Sequence, residues 1–447
     1  VQRGQELFKI APLEAYRVVL EVEEVRNPDW EVQGLTGSAA GVGVDGEDRE
    51  APHGRRADAS TAPDEAPAAG HAHAPAPGAS APPNAIERWA LRRLLRLAGN
   101  PPVHFVLWNS LEFAAPEQPP VARLHVRDRR TLWQLLSNPE LRFGDAYTRG
   151  DLEVEGDLVE CLQAMYRAFP AVGQQNRLYR GVQRWRNRAG LNTLAGALSN
   201  IQRHYDLGND FFRLWLDEQM VYTCAYFPSP TLSLEQAQQR KMDYVCRKLR
   251  LQPGESVIEA GCGWGALARH MARHYGVTVR AYNISHEQIR YARERAAAEG
   301  LDAQVEFVED DYRNIRGQCD AFVSVGMLEH VGRTNYTTLG AVIDACLAPH
   351  GRGLLHSIGR NQPCPMNAWI ERRIFPGSYP PTLREMMTVL EPAGFSVLDV
   401  ENLRLHYART LEHWLARFPA GLDTLLTDTS LSAGEGQLVA LARVYLK

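Results

Sequence analysis

The segment Val257-Ile-Glu-Ala-Gly-Cys-Gly-Trp-Gly265 constrains this chain more than any other, an apolar strand running straight into three glycines on alternate positions. Such a turn lets the backbone pass close against a flat, polar ligand at the carboxyl edge of a sheet. Only glycine accepts the positive φ values and lacks the Cβ that would block that approach. The pattern predicts a helix at once behind it, from Trp264 to about Tyr275, whose first amides add the positive end of a helix dipole. Dinucleotide sites space their glycines as G-x-G-x-x-G and follow them, about twenty positions on, with an acidic residue for the ribose. Here the spacing is two and two, and the next strand, Val277-Thr-Val-Arg-Ala-Tyr-Asn283, ends in Asn. A tight turn with a purely structural role is the alternative reading. Glu259, just ahead of the glycines, weighs against it, because a carboxylate there faces where a ligand's ammonium group would lie.

The chain has 447 residues, enough for two or three domains, and ordinary apolar content for a globular protein. A net charge of -4 argues against a nucleic-acid partner, since such proteins are normally strongly basic. No apolar run is long enough for a membrane-spanning helix, and residues 1–30 carry charges without an apolar core, so no signal peptide is expected. Seven cysteines without a C-x-x-C pair read as reduced thiols, which points to a cytoplasmic protein with no disulfide framework and no metal site.

Five stretches differ in composition. Residues 1–35 hold one strand-like run, Tyr16–Val25, and resemble a strand pair from periplasmic adaptor proteins of efflux pumps; they read as a fused remnant. Residues 36–84 lack aromatic residues, Leu, Ile and Met, and are read as a disordered linker rich in Ala, Pro and Gly, in which His71 and His73 are not metal ligands. From 85 to 170 a helix, strands at Val103–Leu107 and Val121–Val126 and further helices predict a small α/β domain. Residues 171–203 carry Arg177, Arg180, Arg184, Arg186, Arg188 and Arg203 without one Asp or Glu, with Trp185 and leucines interleaved. That is either a segment lying on anionic headgroups or a solvated interdomain helix. Residues 204–447 alternate strands and helices, with strands near 256–260, 277–283, 304–308, 320–325, 352–358 and 395–401 and a closing strand at 438–446.

The two-and-two glycine spacing resembles the S-adenosylmethionine loop of class I methyltransferases. Six ordered phrases go further: His204-Tyr-Asp-Leu-Gly-Asn-Asp-Phe-Phe212, Tyr222-Thr-Cys-Ala-Tyr226, Gly261-Cys-Gly-Trp-Gly265, Ser324-Val-Gly-Met-Leu-Glu-His-Val331, His356-Ser-Ile-Gly359 and Leu405-His-Tyr-Ala408. Together they resemble the cyclopropane-fatty-acyl-phospholipid synthases and the related mycolic-acid methyltransferases, over residues 85 to about 418. The resemblance implies an α/β fold, the Rossmann-like class I methyltransferase sheet of seven mostly parallel strands, with a small N-terminal α/β domain associated with lipid. It implies S-adenosylmethionine as cofactor, met by Tyr222 and Thr223 at the carboxylate, by Glu259, Gly261 and Gly263 at the methionine and ribose, by Asn283, Ser285 and Gln288 at the sugar, and by Asp311 and Tyr312 at the adenine.

The implied reaction adds a methylene unit to the cis double bond of an unsaturated phospholipid acyl chain. Methyl transfer to an alkene leaves a carbocation, and ring closure then needs a base to take a proton from the new methyl group. The family is similar to a trap for bicarbonate as that base, and the matching positions are Cys224, Glu329, His356, the Ile358 amide and Tyr407. Taken singly, Cys224 reads equally as an inert small hydrophobe, Glu329 as a cap and His356 as a core histidine. The chain departs from the family after Phe418, where Pro419 to Gly436 is short and rich in Thr, Ser, Asp and Gly. Alternatives are methylation or methylenation without ring closure, a small-molecule N-methyltransferase, and a degenerate lipid-binding protein. The expected partner is an anionic phospholipid bilayer, met peripherally at its cytoplasmic face; lipid headgroup and oligomeric state, a homodimer included, stay open.

Overall fold

The computed structural model describes residues 15–24, 81–114, 119–168 and 208–427. Most of the 36–84 linker, the basic stretch 171–203, the start of the His204–Phe212 phrase and the closing strand at 438–446 lie outside the described residues.

The chain enters with β1 (Ala15–Glu24). The small domain then opens on α1 (Ala85–Leu97), which starts where Asn84 and Glu87 cap each other. The Asn84 side chain accepts from the Glu87 amide at 2.9 Å, and the Glu87 carboxylate accepts from the Asn84 amide at 2.8 Å. This satisfies two helix-end donors and contributes about 1 kcal/mol. Leu91 and Leu95, one turn apart, face inward and are buried. Strands β2 (Val103–Leu107), β3 (Glu112–Phe113) and β4 (Ala122–Val126) follow, then α2 (Arg129–Ser137), α3 (Pro139–Arg149), β5 (Leu152–Glu155) and α4 (Leu158–Ala168). The sheet order is β3-β2-β4-β5, with β2 and β4 parallel and the outer pairs antiparallel. The strands β2 and β4 alternate buried and half-buried residues, so one face packs on α1, α2 and α4 to make a core with Leu124 and Leu132 fully buried. The two-residue β3 has no sequence signal of its own, since a strand so short has no periodicity to read.

After a short helix, Asn209–Arg213, the second unit runs α5 (Leu234–Lys248), β6 (Ser256–Ala260), α6 (Ala266–Tyr275), β7 (Thr278–Asn283), α7 (His286–Ala298), β8 (Val305–Glu309) and β9 (Cys319–Val325). It continues through α8 (Leu328–Val331), α9 (Tyr336–Cys346), β10 (Leu347–Arg360), α10 (Ala368–Arg373), α11 (Leu383–Leu390), β11 (Phe395–Asn402) and α12 (Arg404–Thr427). Strand order is β11-β1-β10-β9-β6-β7-β8. The pairs β10–β9, β9–β6, β6–β7 and β7–β8 are parallel, and β1 runs antiparallel to both β10 and β11. The seven-stranded, mostly parallel α/β sheet is therefore present, with its order reversing between β6 and β9. That switch point brings the turns after β6, β7, β8 and β9 to one edge, where ligands of open α/β sheets bind.

Within residues 1–35, read as a fused remnant, β1 is hydrogen-bonded into the sheet between β10 and β11. The expected closing strand at 438–446 lies outside the described residues; among them, β1 runs antiparallel to β10 and β11. The segment after Phe418 is also helical as far as Thr427, continuing α12 through Pro419.

Both faces of the sheet are covered. Val257, Val279, Phe307 and Val323 pack against α5, α6 and α7, while Ile258, Phe322 and Leu355 pack against α9 and α11. No helix of the described residues is long and apolar enough to cross a membrane.

Candidate active site

The glycines selected from the sequence follow directly on the end of β6. Gly261 and Gly263 have φ of +84° and +54°, in the left-handed region that favours glycine. The amides of Gly261 and Cys262 both donate to the Tyr282 carbonyl, at 2.9 and 3.0 Å, which ties the turn to β7. A Cβ on Gly263 would meet nothing within 4 Å, so the turn borders open space there. On Gly261 it would press on the Met327 side chain at 2.9 Å.

Glu259, 2 % exposed, stands beside this opening, and its Oε2 has no hydrogen-bond partner. Burial pushes its carboxyl up to about 7, against the opposing pull of Lys241 and Arg269. A buried carboxylate with an idle oxygen next to a space walled by glycine fits the ammonium of a methionine moiety, so S-adenosylmethionine suits these residues. Asn283, Ser285 and Gln288 join the same edge. The Asn283 Nδ2 donates to the Gly263 carbonyl at 3.3 Å and to Gln288 Oε1 at 2.7 Å, and the Ser285 amide donates to Asn283 Oδ1 at 3.3 Å. Asp311 is less open than the sequence implied. Arg313 takes both of its oxygens, at 2.7 and 2.8 Å. It frames this end of the cleft together with the buried Tyr312 ring, whose hydroxyl burial pushes to about 12.

Tyr222 and Thr223 arrive on an irregular segment just ahead of α5, and α5 and α12 hold it. Gln238 of α5, fully buried, donates to the carbonyls of Val221 (3.2 Å) and Thr223 (2.8 Å), and Lys241 Nζ donates to Thr223 Oγ1 at 2.9 Å. From α12, Thr410 Oγ1 accepts the Ala225 amide at 3.0 Å and His406 Nδ1 accepts the Phe227 amide at 2.9 Å. The Tyr222 ring leans on Trp215 and Trp414, with centroids 5.1 and 5.4 Å away, within a cluster that includes Phe212 and Trp264. This segment also touches the far side of the cleft, since a Cβ on Gly326, just after β9, would lie 2.9 Å from Thr223 Cγ2. Sequence reading missed Gln238, Lys241 and Thr410. The signal for the first two was available: polar residues three apart on a face of α5 otherwise built from Leu234, Ala237, Met242 and Val245.

The second set gathers at the ends of β9 and β10. Glu329 is 4 % exposed, its Oε1 accepts the Ile358 amide at 2.7 Å, and its Oε2 has no hydrogen-bond partner. The Ile358 amide is thus committed to Glu329 in this structure, where the resemblance had it holding bicarbonate directly. His356, buried, lies beside Val325 across the parallel pair, and its carbonyl accepts the Gly326 amide at 2.7 Å. Cys224 is buried with its thiol directed to the Ala225 carbonyl (3.2 Å) and towards the Leu403 carbonyl (3.9 Å). The same Leu403 carbonyl accepts the Tyr407 amide, and Tyr407 packs against the cluster containing Cys224 and Val325. Cys224 and Tyr407 therefore share one wall, while Glu329, Ile358 and His356 form the floor at β9 and β10. A cavity of about 640 Å³ lined by Arg213, Asp217, Glu235, Tyr291 and Arg417 contains none of these residues and lies apart from the chemistry.

The family described as mycolic acid cyclopropane synthetase matches residues 193–433, and a domain of unknown function matches residues 90–176. A probable fatty acid methyltransferase of Pseudomonas putida is 38% identical over 321 residues, 70% of this chain and 80% of that protein. The cyclopropane-fatty-acyl-phospholipid synthase of Escherichia coli K12 is 45% identical over 230 residues, 51% of this chain and 59% of that protein. Among solved structures, mycolic acid cyclopropane synthase CmaA1, complexed with SAH and CTAB, superposes with a TM-score of 0.52 at 30% identity, over 56% of this chain and 90% of that one.

Proposed function

The chain belongs to the mycolic acid cyclopropane synthetase family of S-adenosylmethionine-dependent methyltransferases, and we propose that it adds a methylene unit to the cis double bond of acyl chains in membrane phospholipids and closes a cyclopropane ring. The observation that supports this reading is Glu329: a second buried carboxylate, at the sheet edge, with one oxygen fixed on the Ile358 amide and the other idle. Methyl transfer to an amine needs no such group.

When bound, S-adenosylmethionine supplies an electrophilic methyl on its sulfonium. The chain's own residues do the rest. Glu259 would pair with the ammonium end, and Tyr222 and Thr223, on the segment pinned by Gln238, Lys241 and Thr410, would hold the carboxylate end. The acyl chain loses a proton after it has accepted the methyl. Glu329 cannot serve as that base with Oε1 tied down and its charge beside a carbocation, because a carboxylate in contact with the cation would be alkylated. Its idle Oε2 would instead hold a bicarbonate by accepting that group's O–H, and bicarbonate would supply the base for the proton. The buried Cys224 thiol and the Tyr407 ring keep water from trapping the cation as an alcohol. The enzyme meets the bilayer peripherally, from its cytoplasmic face.

A second reading, methylation without ring closure, draws on the Pseudomonas putida relative, whose match covers more of this chain than the Escherichia coli one. Mass spectrometry of lipids from a host expressing the chain separates the two. A gain of one CH2 per acyl chain that survives hydrogenation means a ring, whereas a methylenated chain gains the same mass and then takes up hydrogen. No gain at all removes the proposal.

A further inference from the structure

The helix α1 turns Leu91 and Leu95 inward and leaves the wrong kind of residue outside for an ordinary surface helix. Ile86, Trp89 and Leu97 are 65 %, 58 % and 41 % exposed. At about 100° per residue they share one face with Arg88, Arg92, Arg93 and Arg96, all exposed. The one acidic residue of the helix, Glu87, lies on the other side, buried and engaged by Arg129 at 2.7 Å and by Trp133 Nε1 at 3.2 Å. That hydrogen bond sets Trp133 of α2, itself 43 % exposed, next to Glu87 on the side of α1 away from this face. Among the described residues no Asp or Glu forms an ion pair with the four α1 arginines; Arg93 lies over the Trp89 ring at 5.9 Å and Arg88 donates to the Pro83 carbonyl at 2.9 Å.

Single exposed hydrophobic residues are normal on a folded protein. A tryptophan, an isoleucine and a leucine set among four arginines, with no carboxylate between them, are a patch. A positive face carrying Trp and Ile complements one surface in both of its properties. Guanidinium groups meet phosphate oxygens at the headgroup level, while indole and aliphatic side chains sink to the acyl boundary. A docking face for an acidic protein would not need the exposed apolar residues, and a self-association face would not need four like charges brought against four more.

We infer that the exposed face of α1 is the surface by which this chain docks on an anionic phospholipid bilayer. The inference deepens the reading of a phospholipid substrate and rests on it for its purpose, but the docking itself is measured independently of turnover. It also assigns the membrane contact to the small domain, by residues distinct from the arginine stretch 171–203.

The test uses the full chain and three forms: wild type, the quadruple variant Arg88→Gln, Arg92→Gln, Arg93→Gln, Arg96→Gln, and Trp89→Ser. All sites are on the surface, so S-adenosylmethionine affinity serves as the check of folding. Co-sedimentation is measured with vesicles of equal parts phosphatidylglycerol and phosphatidylcholine, and with phosphatidylcholine alone. The quadruple variant should bind the anionic vesicles at least tenfold more weakly at low salt, with wild-type binding falling as salt rises. Trp89→Ser should weaken binding to both vesicles. Turnover on detergent-dispersed unsaturated phospholipid should be unchanged in both. Wild type that ignores anionic vesicles, or variants that bind them as well as wild type does, overturns the surface. A fall in oligomer mass by light scattering with vesicle binding intact also overturns it, in favour of a second copy. Vesicle binding that follows these expectations in a chain that modifies no lipid would leave the surface standing and sink the proposed function.

Discussion

Glu259 and Glu329 are both buried carboxylates with one idle oxygen, yet their tasks differ because their neighbours do. Glu259 faces Lys241 and Arg269 from a distance and has a carboxyl pushed to about 7 by burial. An ammonium ligand is held by the ionised form, so affinity for S-adenosylmethionine should rise as pH rises towards 7. Below that point it should fall about tenfold per pH unit, and above it flatten. The ligand's own amino group keeps its proton to about pH 7.7, so calorimetry between pH 5.5 and 7.5 isolates the protein carboxyl. Glu259→Gln should bind weakly with no slope; a slope that persists in the variant would assign the titration elsewhere. Glu329 is oriented by the Ile358 amide, and Glu329→Gln can keep that bond through its amide oxygen while replacing the idle acceptor with a donor. Fold and cofactor affinity should survive, and turnover should fall about 10²–10⁴-fold. Near wild-type turnover in this variant would remove Glu329 from the proton path. The glycines, Glu259 and Asn283 were legible in the sequence because a strand end and its turn are local. The hold of Ile358 on Glu329 was not, since it joins residues 29 apart on different elements.

At the scale of elements, the segment from Tyr222 to Phe227 has no regular structure of its own, and its position comes from its neighbours. Thr410 is fully buried and carries two bonds, accepting from Ala225 and donating to the His406 carbonyl at 2.7 Å. Thr410→Val keeps the shape and leaves the Ala225 amide buried without a partner, which should cost about 1–3 kcal/mol. Because the freed segment carries Tyr222 and Thr223, cofactor affinity should drop along with the unfolding midpoint. A stable variant with unchanged affinity would show that α12 does not position the segment. The strands β6 and β9 were readable because buried parallel strands are continuous apolar runs. The role of β1 was not. Its ten residues signal a strand, but nothing local says that it enters the sheet between β10 and β11, which begin at Leu347 and Phe395.

At the scale of the molecule, the small domain grips the second unit at the segment that follows β10. Asp145 of α3, buried, accepts two bonds from Arg373 of α10, at 3.0 and 3.2 Å. Gly144 lets the buried Trp369 ring approach so closely that a Cβ would stand 2.5 Å from its Nε1. Gly144→Ala therefore sets two effects against each other: a gain of about 1 kcal/mol in helix propensity and a packing cost of about 1–3 kcal/mol. The clash should win, lowering the thermal midpoint while S-adenosylmethionine affinity holds; a raised midpoint would mean that the two units are loosely joined there. The grip matters because the Tyr379 amide, a few residues on, donates to the Glu329 carbonyl at 2.7 Å, which links the small domain's contact to the site. No sequence pattern announced this link, since each half of it looks like ordinary surface polarity. The most direct test of the whole account is turnover of unsaturated phospholipid with S-adenosylmethionine carrying a fully deuterated methyl group. The account predicts a hydrogenation-resistant ring bearing CD2, the third deuteron having left as the transferred proton. A product that keeps CD3, or no labelled lipid from a folded, cofactor-binding enzyme, would contradict it.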